Sequence, residues 1–275
     1  ILRIKPRLSV FIYQFFTTGR HSANHSHFPI MHVAFPFCCV ADAAVLQGDI
    51  AVPNTLSRNA DKCTERGCKW PKSGSYVYVP YYISKTFSQE ERDVIIRGMQ
   101  GFNQSTCIRL IPWKPEDRDY IFIECWSYVG RQNGGQYLSL QKTGCVHNEV
   151  VQHEILHALG FNHEQVRSDR DSYVRILFDN IEPNFKFAFE KKETNNLGTP
   201  YDFTSVMEYR NDAFSKNGKP TIVAKCDPNL KFGNSKKMSA NDIIRINKLY
   251  ECSDNQTKQK PDSCPHLFLH FNKKM

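Results

Sequence analysis

The sequence predicts a globular fold that mixes strands with helices, and three observations carry the prediction. β-branched and aromatic residues gather in short runs, above all Val77-Tyr78-Val79-Pro80-Tyr81-Tyr82-Ile83. Two Ser-x-x-acid capping boxes, at Ser88 and Ser239, stand before apolar residues at helical spacing. A further helical run over 149–159 ends on Gly160, a residue suited to the left-handed turn that closes a helix. The chain has 275 residues, 40% hydrophobic and 23% charged, so it can bury a real core in one large domain or two small ones.

Taken in order, 41–57 is short, mixed and proline-containing, and reads as extended chain. The run 77–83 is a strand. Ser88-Gln89-Glu90-Glu91 opens a helix whose apolar positions are Val94, Ile95, Met99 and Phe102. Strands follow at 108–111 and 120–123, and another at 137–140 after Gly134-Gly135. Many Asn, Pro and Gly over 165–235 predict irregular structure. Ser239-Ala240-Asn241-Asp242 caps a last helix with Ile243, Ile244, Ile246 and Leu249 on its apolar side. Residues 253–275 read as a polar, unstructured tail, and no internal repeat is present.

The net charge is +8, but lysines and arginines are scattered with no long basic run, which argues against nucleic acid as a partner. The balance suits an enzyme that meets an acidic or glycosylated matrix. No stretch is long enough for a transmembrane helix, so no membrane is expected. Residues 1–40 lack an initiator Met and carry an apolar run at 8–16 followed by the polar His21 to His27 stretch; they read as a leader or a gene-model artefact. His21, His25 and His27 read as solvent-exposed bystanders rather than metal ligands.

Ten cysteines include no matched CxxC pairs, so a zinc ribbon is not expected. Cys63, Cys68, Cys107, Cys125, Cys145 and Cys252 are spread over the globular part, as disulfides in an oxidising compartment would be. Cys38, Cys39, Cys226 and Cys264 are not placed by this reading. Sequons at Asn24, Asn103 and Asn255 are compatible with secretion.

The chemistry lies in His153-Glu154-Ile155-Leu156-His157-Ala158-Leu159-Gly160-Phe161-Asn162-His163. Four residues apart on a helix, His153 and His157 share one face and can meet one zinc ion. Gly160 breaks the helix and turns the chain, which brings His163 back as a third ligand. Three protein ligands leave a position open for water, the mark of a catalytic rather than a structural site. Glu154, beside the first ligand, can take a proton from the zinc-bound water and pass it to the leaving amine.

The full HExxHxxGxxH string identifies the metzincin proteases, and His163-Glu164 followed by Gln165-Val166-Arg167-Ser168-Asp169 resembles the astacin family. The likeness runs from about Ala41 to Cys252. It implies an α+β metzincin fold: a twisted, mainly parallel sheet with two long helices above a cleft, and an irregular lower part ending in a helix. It also implies one Zn2+ per chain. Ser205-Val206-Met207-Glu208-Tyr209 matches the methionine turn of the family. Met207 would then floor the zinc site, and Tyr209 would stabilise the developing oxyanion unless it is simply a packed aromatic. Glu208 stands where the family usually has His; its carboxylate either bears on the ligand shell or faces away.

The resemblance further implies a zymogen. Residues 41–58 would be a pro-segment cleaved by an activating protease after Arg58, and 59–252 the peptidase domain. Leu46-Gln47-Gly48-Asp49 resembles the Phe-x-Gly-Asp motif of the pro-segment, which makes Asp49 the zinc ligand of the zymogen, the alternative being a turn residue after Gly48. The freed N-terminus at Asn59 would pair with Glu164. Implied disulfides are Cys63–Cys68, Cys107–Cys252 and Cys125–Cys145, and 136–140 would be the edge strand that receives an extended peptide. Within the family the chain is most similar to fish-type hatching enzymes. That implies a secreted monomer, stored in granules before release, that acts on egg-envelope glycoproteins; digestive or tissue-specific minimal members stay open. No CUB, EGF-like or anchor segment follows Cys252, as expected of a minimal form.

Overall fold

The computed structural model describes residues 45–46, 50–51, 62–124, 127–128, 130–132, 134–142 and 144–253. Two short strands come first, β1 (Val45–Leu46) and β2 (Ile50–Ala51), then α1 (Lys62–Arg66), β3 (Lys72–Ser73) and β4 (Tyr76–Ile83). The helix α2 (Gln89–Ser105) leads into β5 (Ile108–Pro112), β6 (Tyr120–Glu124), β7 (Ser127–Tyr128) and β8 (Gly135–Ser139). After α3 (Asn148–Ala158) the chain is mostly short turns around β9 (Val174–Ile176) and β10 (Ile222–Ala224), and α4 (Ala240–Leu249) comes last. No helix among the described residues is long and apolar enough to cross a membrane.

The sheet is mainly parallel, as expected. β4 pairs in parallel with β5 and β6, and β6 with β8; β3 joins β4 antiparallel. Strand alternation sorts the side chains: Val77 and Val79 are buried while Tyr76 and Tyr78 are exposed. The buried face packs on α2 and α3. α2 opens with the expected capping box, in which Ser88 accepts from the Glu91 backbone and Glu91 reaches back to the Ser88 N–H. It turns Ile95, Met99 and Phe102 inward. The two helices approach at Gly98, where a Cβ would lie 2.6 Å from Val151 Cγ1, so a larger residue would push the zinc helix away.

As expected for 136–140, β8 is the terminal strand of the main sheet, with β6 as its pairing partner among the described residues. β7 pairs in parallel with β2 (Ile50–Ala51), which also pairs antiparallel with β1, so these three short strands form a second small sheet. Two residues of strand beside Cys125-Trp126 are too short to produce a readable alternation.

Below the sheet, 165–235 is irregular as expected, but it has its own core of Val174, Ile181, Phe189, Tyr201, Ile222 and Phe232. Beside the short β9–β10 ladder, side chains also satisfy backbone groups there. Asn211 Nδ2 donates to the carbonyls of Ile222 (3.4 Å) and Leu230 (3.0 Å), and its Oδ1 accepts from the Phe232 N–H (2.9 Å). Arg170 donates to the carbonyls of Gln165 and Phe189.

Cys63 pairs with Cys68 and Cys107 with Cys252, as the resemblance implied. Cys145 and Cys226 are also disulfide-bonded. Cys125, Cys38, Cys39 and Cys264 lie outside the described residues, as do Asp49 and Arg58. The Cys107–Cys252 bridge closes 145 residues, from the start of β5 to just past α4. Loop-closure entropy for a loop of that size corresponds to about 5 kcal/mol, an upper figure because residual structure in the unfolded chain reduces it. The double variant Cys107→Ala/Cys252→Ala is expected to lose about 2–5 kcal/mol of stability, read from urea unfolding; an unchanged midpoint would refute this.

Candidate active site

α3 carries two of the three imidazoles, and its C-terminal end delivers the third. The helix closes in a Schellman turn. Phe161 N–H donates to Leu156 O at 2.9 Å and Gly160 N–H to His157 O at 2.8 Å, with Gly160 at φ +103°. A side chain at Gly160 would be strained by that φ and would meet Thr64 Cγ2 at 2.7 Å. The reversal puts His163 against the face that carries His153 and His157.

The three histidines converge: one ring nitrogen of each lies within 4.8 Å of the others. His153 Nε2 is 3.0 Å from His157 Nε2 and 3.2 Å from His163 Nε2. His157 and His163 are fully buried. The Nδ1 atoms of the first two are held by carbonyls, His153 by Val206 O (2.8 Å) and His157 by Phe161 O (2.6 Å). A carbonyl can only accept, so each Nδ1 carries the hydrogen and each Nε2 presents a lone pair to the shared centre. Lone pairs aimed at one point repel unless a cation sits between them, and three neutral imidazoles are a zinc donor set. The residues therefore fit the metal that the sequence implies.

Glu154 follows His153 on α3 and is 1% exposed. Tyr209 lies beside the third histidine, its ring 4.4 Å from that of His163 and tilted by 49°. It is also packed against Phe189 and Phe214, so its packing role and its place at the site coexist. Met207 is buried directly before this pair, and its carbonyl accepts from the Glu164 N–H at 2.9 Å. That bond ties the methionine turn to the residue after the third histidine.

Glu164 is buried between two cationic partners. Arg245 Nη1 donates to its Oε2 at 2.7 Å and Nη2 to its Oε1 at 2.8 Å. Arg167 Nη1 adds a 3.2 Å contact and the Asp202 N–H one of 2.7 Å. Burial opposes the charge on Arg245, but Glu164, with Asp242 and Asp202, outweighs it and holds the guanidinium above its usual range. Sequence reasoning found Glu164 but assigned it neither arginine: Arg167 stands in the string after His163 without a role, and Arg245 is 81 residues away.

Glu208 makes no hydrogen bond to the imidazoles. It is 5% exposed, and neither carboxylate oxygen makes a hydrogen bond within 3.5 Å. Burial raises its carboxyl well above the ordinary range, and Glu164 and Asp202 push the same way against the pull of Tyr201 and Arg167. Burial and the charge of Glu208 in turn raise the Tyr201 phenol. The residue that departs from the family pattern thus belongs to the interior of the lower half.

Comparison with known proteins agrees with this geometry. The family model described as Astacin, a peptidase family, matches residues 63–251. The chain is 45% identical over 217 residues to the high choriolytic enzyme 1 of Oryzias latipes, covering 77% of this chain and 79% of that protein. It is 43% identical over 215 residues to the low choriolytic enzyme of the same fish, covering 76% and 78%. The solved structure of the first, described as a hatching enzyme zinc-protease, superposes with a TM-score of 0.66 over 68% of this chain and 96% of that one. A match of that extent over this geometry places the chain in the astacin family, and it is a zinc metalloendopeptidase.

Proposed function

We propose that this endopeptidase is made as a zymogen, stored in granules, secreted as a monomer, and freed by cleavage after Arg58 to act on egg-envelope glycoproteins at hatching. The observation that supports the zymogen reading is the parallel pairing of β2 with β7: a segment N-terminal to position 59 already takes a strand-pairing position of the kind an extended peptide would take. One copy of the chain holds the whole ligand set, which favours the monomer. The disulfides favour an oxidising compartment. The hatching role rests on the two choriolytic relatives. Asp49 as zymogen ligand and Cys125–Cys145 as the third bridge belong to the same proposal.

In the mature enzyme His153, His157 and His163 hold the zinc ion. Zinc supplies Lewis acidity, which makes water nucleophilic near neutral pH and polarises a carbonyl. Glu154 takes the proton of the attacking water and delivers it to the leaving amine. Tyr209 donates its hydroxyl hydrogen to the negative charge that grows on the scissile carbonyl oxygen. Glu164, locked by two arginines, has one lone pair left on Oε2 for the ammonium of a freed N-terminus.

An inert zinc-binding homologue is the competing reading, and Glu208 is its motive. The carboxylate makes no hydrogen bond to any of the three imidazoles, which favours the active enzyme.

Digestion of casein and of egg-envelope protein by the Arg58-cleaved chain tests the proposal, with N-terminal sequencing of the active species. Chelator-sensitive cleavage and a terminus at Asn59 are expected; activity of the uncleaved chain equal to the cleaved one would remove the zymogen reading. Glu154→Ala should keep one zinc per chain and lose about 100-fold or more of kcat. His157→Ala should lose the metal itself, and full zinc content in that variant would strike it from the ligand set.

Glu208 yields a pH prediction in the metal-free protein. Its native carboxyl titrates well above the unfolded value of about 4.3. Its stabilising contribution is therefore fully present below that value and is lost as pH rises towards the native one. Glu208→Gln removes this loss. The urea midpoint of the variant should fall less between pH 5 and 8 than the parent's, and parallel curves would show that Glu208 does not titrate as stated.

A further inference from the structure

His153 and His157 are held by carbonyls of different origin. Phe161 O, which fixes His157, is four residues away and is set by the same Schellman turn that ends α3. Val206 O, which fixes His153, is 53 residues away in the lower half. Nothing in α3 determines where that carbonyl stands, so something else must hold it.

The holder is on the first turn of the last helix. Asp242 Oδ2 accepts from the Val206 N–H at 3.0 Å, and Oδ1 accepts from the Ser205 hydroxyl at 2.6 Å. Ser205 Oγ accepts from the Met207 N–H at 3.0 Å. One carboxylate thus straps three consecutive residues, the middle one being the residue whose carbonyl meets His153. Asp242 also closes the capping box of α4 by accepting from the Ser239 N–H at 2.9 Å. A cap needs only that bond; the two to Ser205 and Val206 exceed what the helix requires. The position is costly as well. Asp242 is 2% exposed, and burial, with Asp202, pushes its carboxyl up to about 6.

We propose that Asp242 is a positioning residue for the zinc ligand His153, acting through the Ser205–Val206 backbone to hold the carbonyl that fixes the imidazole with its hydrogen on Nδ1. The path is Asp242 Oδ2, Val206 N–H, Val206 O, His153 Nδ1–H, with Ser205 as a side brace. Loss of the carboxylate frees Val206 to shift, and His153 loses the partner that fixes its tautomer and ring orientation. Partners of this kind are worth about 10–100-fold in metal affinity.

The test uses the full chain and Zn2+ itself, titrated against a competing chelator, with Co2+ substitution to read ligand geometry from the d–d absorption bands. Asp242→Ala is expected to weaken zinc binding by about 10–100-fold and to shift the cobalt bands. Asp242→Asn is expected to restore both. With its amide turned, the oxygen accepts the two N–H groups and the NH2 donates to Ser205 Oγ, so hydrogen bonding survives without the charge. Asn247→Ala, which removes a part-buried hydrogen bond from α4 to Ser105 O at the end of α2, should lower the urea midpoint and leave zinc affinity unchanged. Zinc affinity in Asp242→Ala equal to that of the parent overturns the proposal, and so does an Asn variant as damaged as the Ala one. Should Asp242→Ala fail to fold, Ser205→Ala decides: weakened zinc binding in a folded protein supports the relay, and unchanged binding overturns it.

Discussion

The geometry of the site depends on one reversal of the chain. α3 ends at Ala158, Leu159 is its cap, and Gly160 turns back with a left-handed φ of +103°. Without that turn His163 would continue away from the face that carries His153 and His157. The same turn does a second job: its Phe161 carbonyl fixes the His157 tautomer. A local backbone conformation thus sets both the position of one ligand and the protonation state of another. The surroundings enforce it, since Thr64 occupies the space that a Cβ at Gly160 would fill. The Cys63–Cys68 bridge closes the short loop that holds Thr64, and Gly130, beside that bridge, donates its N–H to the His157 carbonyl at 2.8 Å.

The second constraint is the buried charge around Glu164. Four donor contacts surround its carboxylate, and they come from 167, 202 and 245, three separate parts of the lower half. Such a cluster gains little net stability over apolar packing, because desolvation consumes most of the attraction. Its effect is specificity: removing any one charged member leaves another buried charge uncompensated in a low dielectric, at a cost of about 3–5 kcal/mol. The irregular half therefore has one favourable arrangement although it has few ladders. Burial, with the charges of Glu164 and Asp202, raises the Glu208 carboxyl well above its ordinary range, so the same cluster disfavours a further negative charge beside it.

What could be read from the sequence was whatever lies within about a dozen residues. Both capping boxes appear as written, at Ser88 and Ser239, because the pattern and the bonds that realise it are local. The zinc string was legible for the same reason. β9 and β10 were not, nor the short 3-10 turns such as Pro183–Phe189: the two strands are three residues each and pair far apart in the chain, Ile176 with Ile222, and neighbouring irregular backbone is satisfied by distant side chains such as Asn211 and Arg170. β7 escaped because two residues show no period. At the site, the partners that matter most to electrostatics, Arg245 for Glu164 and Val206 O for His153, lie 81 and 53 residues away. Glu208 is the instructive case. Sequence alone left two directions for its side chain, and only the packing of Tyr201 and the lower core decides between them.

The two zinc-helix ligands therefore stand on supports of different robustness. His157 is fixed within the unit formed by α3 and its closing turn, so it keeps its carbonyl as long as that turn survives. His153 is fixed from the lower half, across the contact between the upper sheet-and-helix layer and the methionine turn. A shift of the capped end of α4 that displaces the methionine turn reaches the ligand set through His153, whereas a rearrangement around Glu164 acts directly on its chain neighbour His163 and, through the methionine turn, on His153. The Glu164 N–H that binds Met207 O at 2.9 Å joins these routes, because it ties the charge cluster to the turn that carries Val206. A change at Glu164 thereby has a covalent and hydrogen-bonded path of a few residues to the ligand shell, with no need for movement of α3 itself.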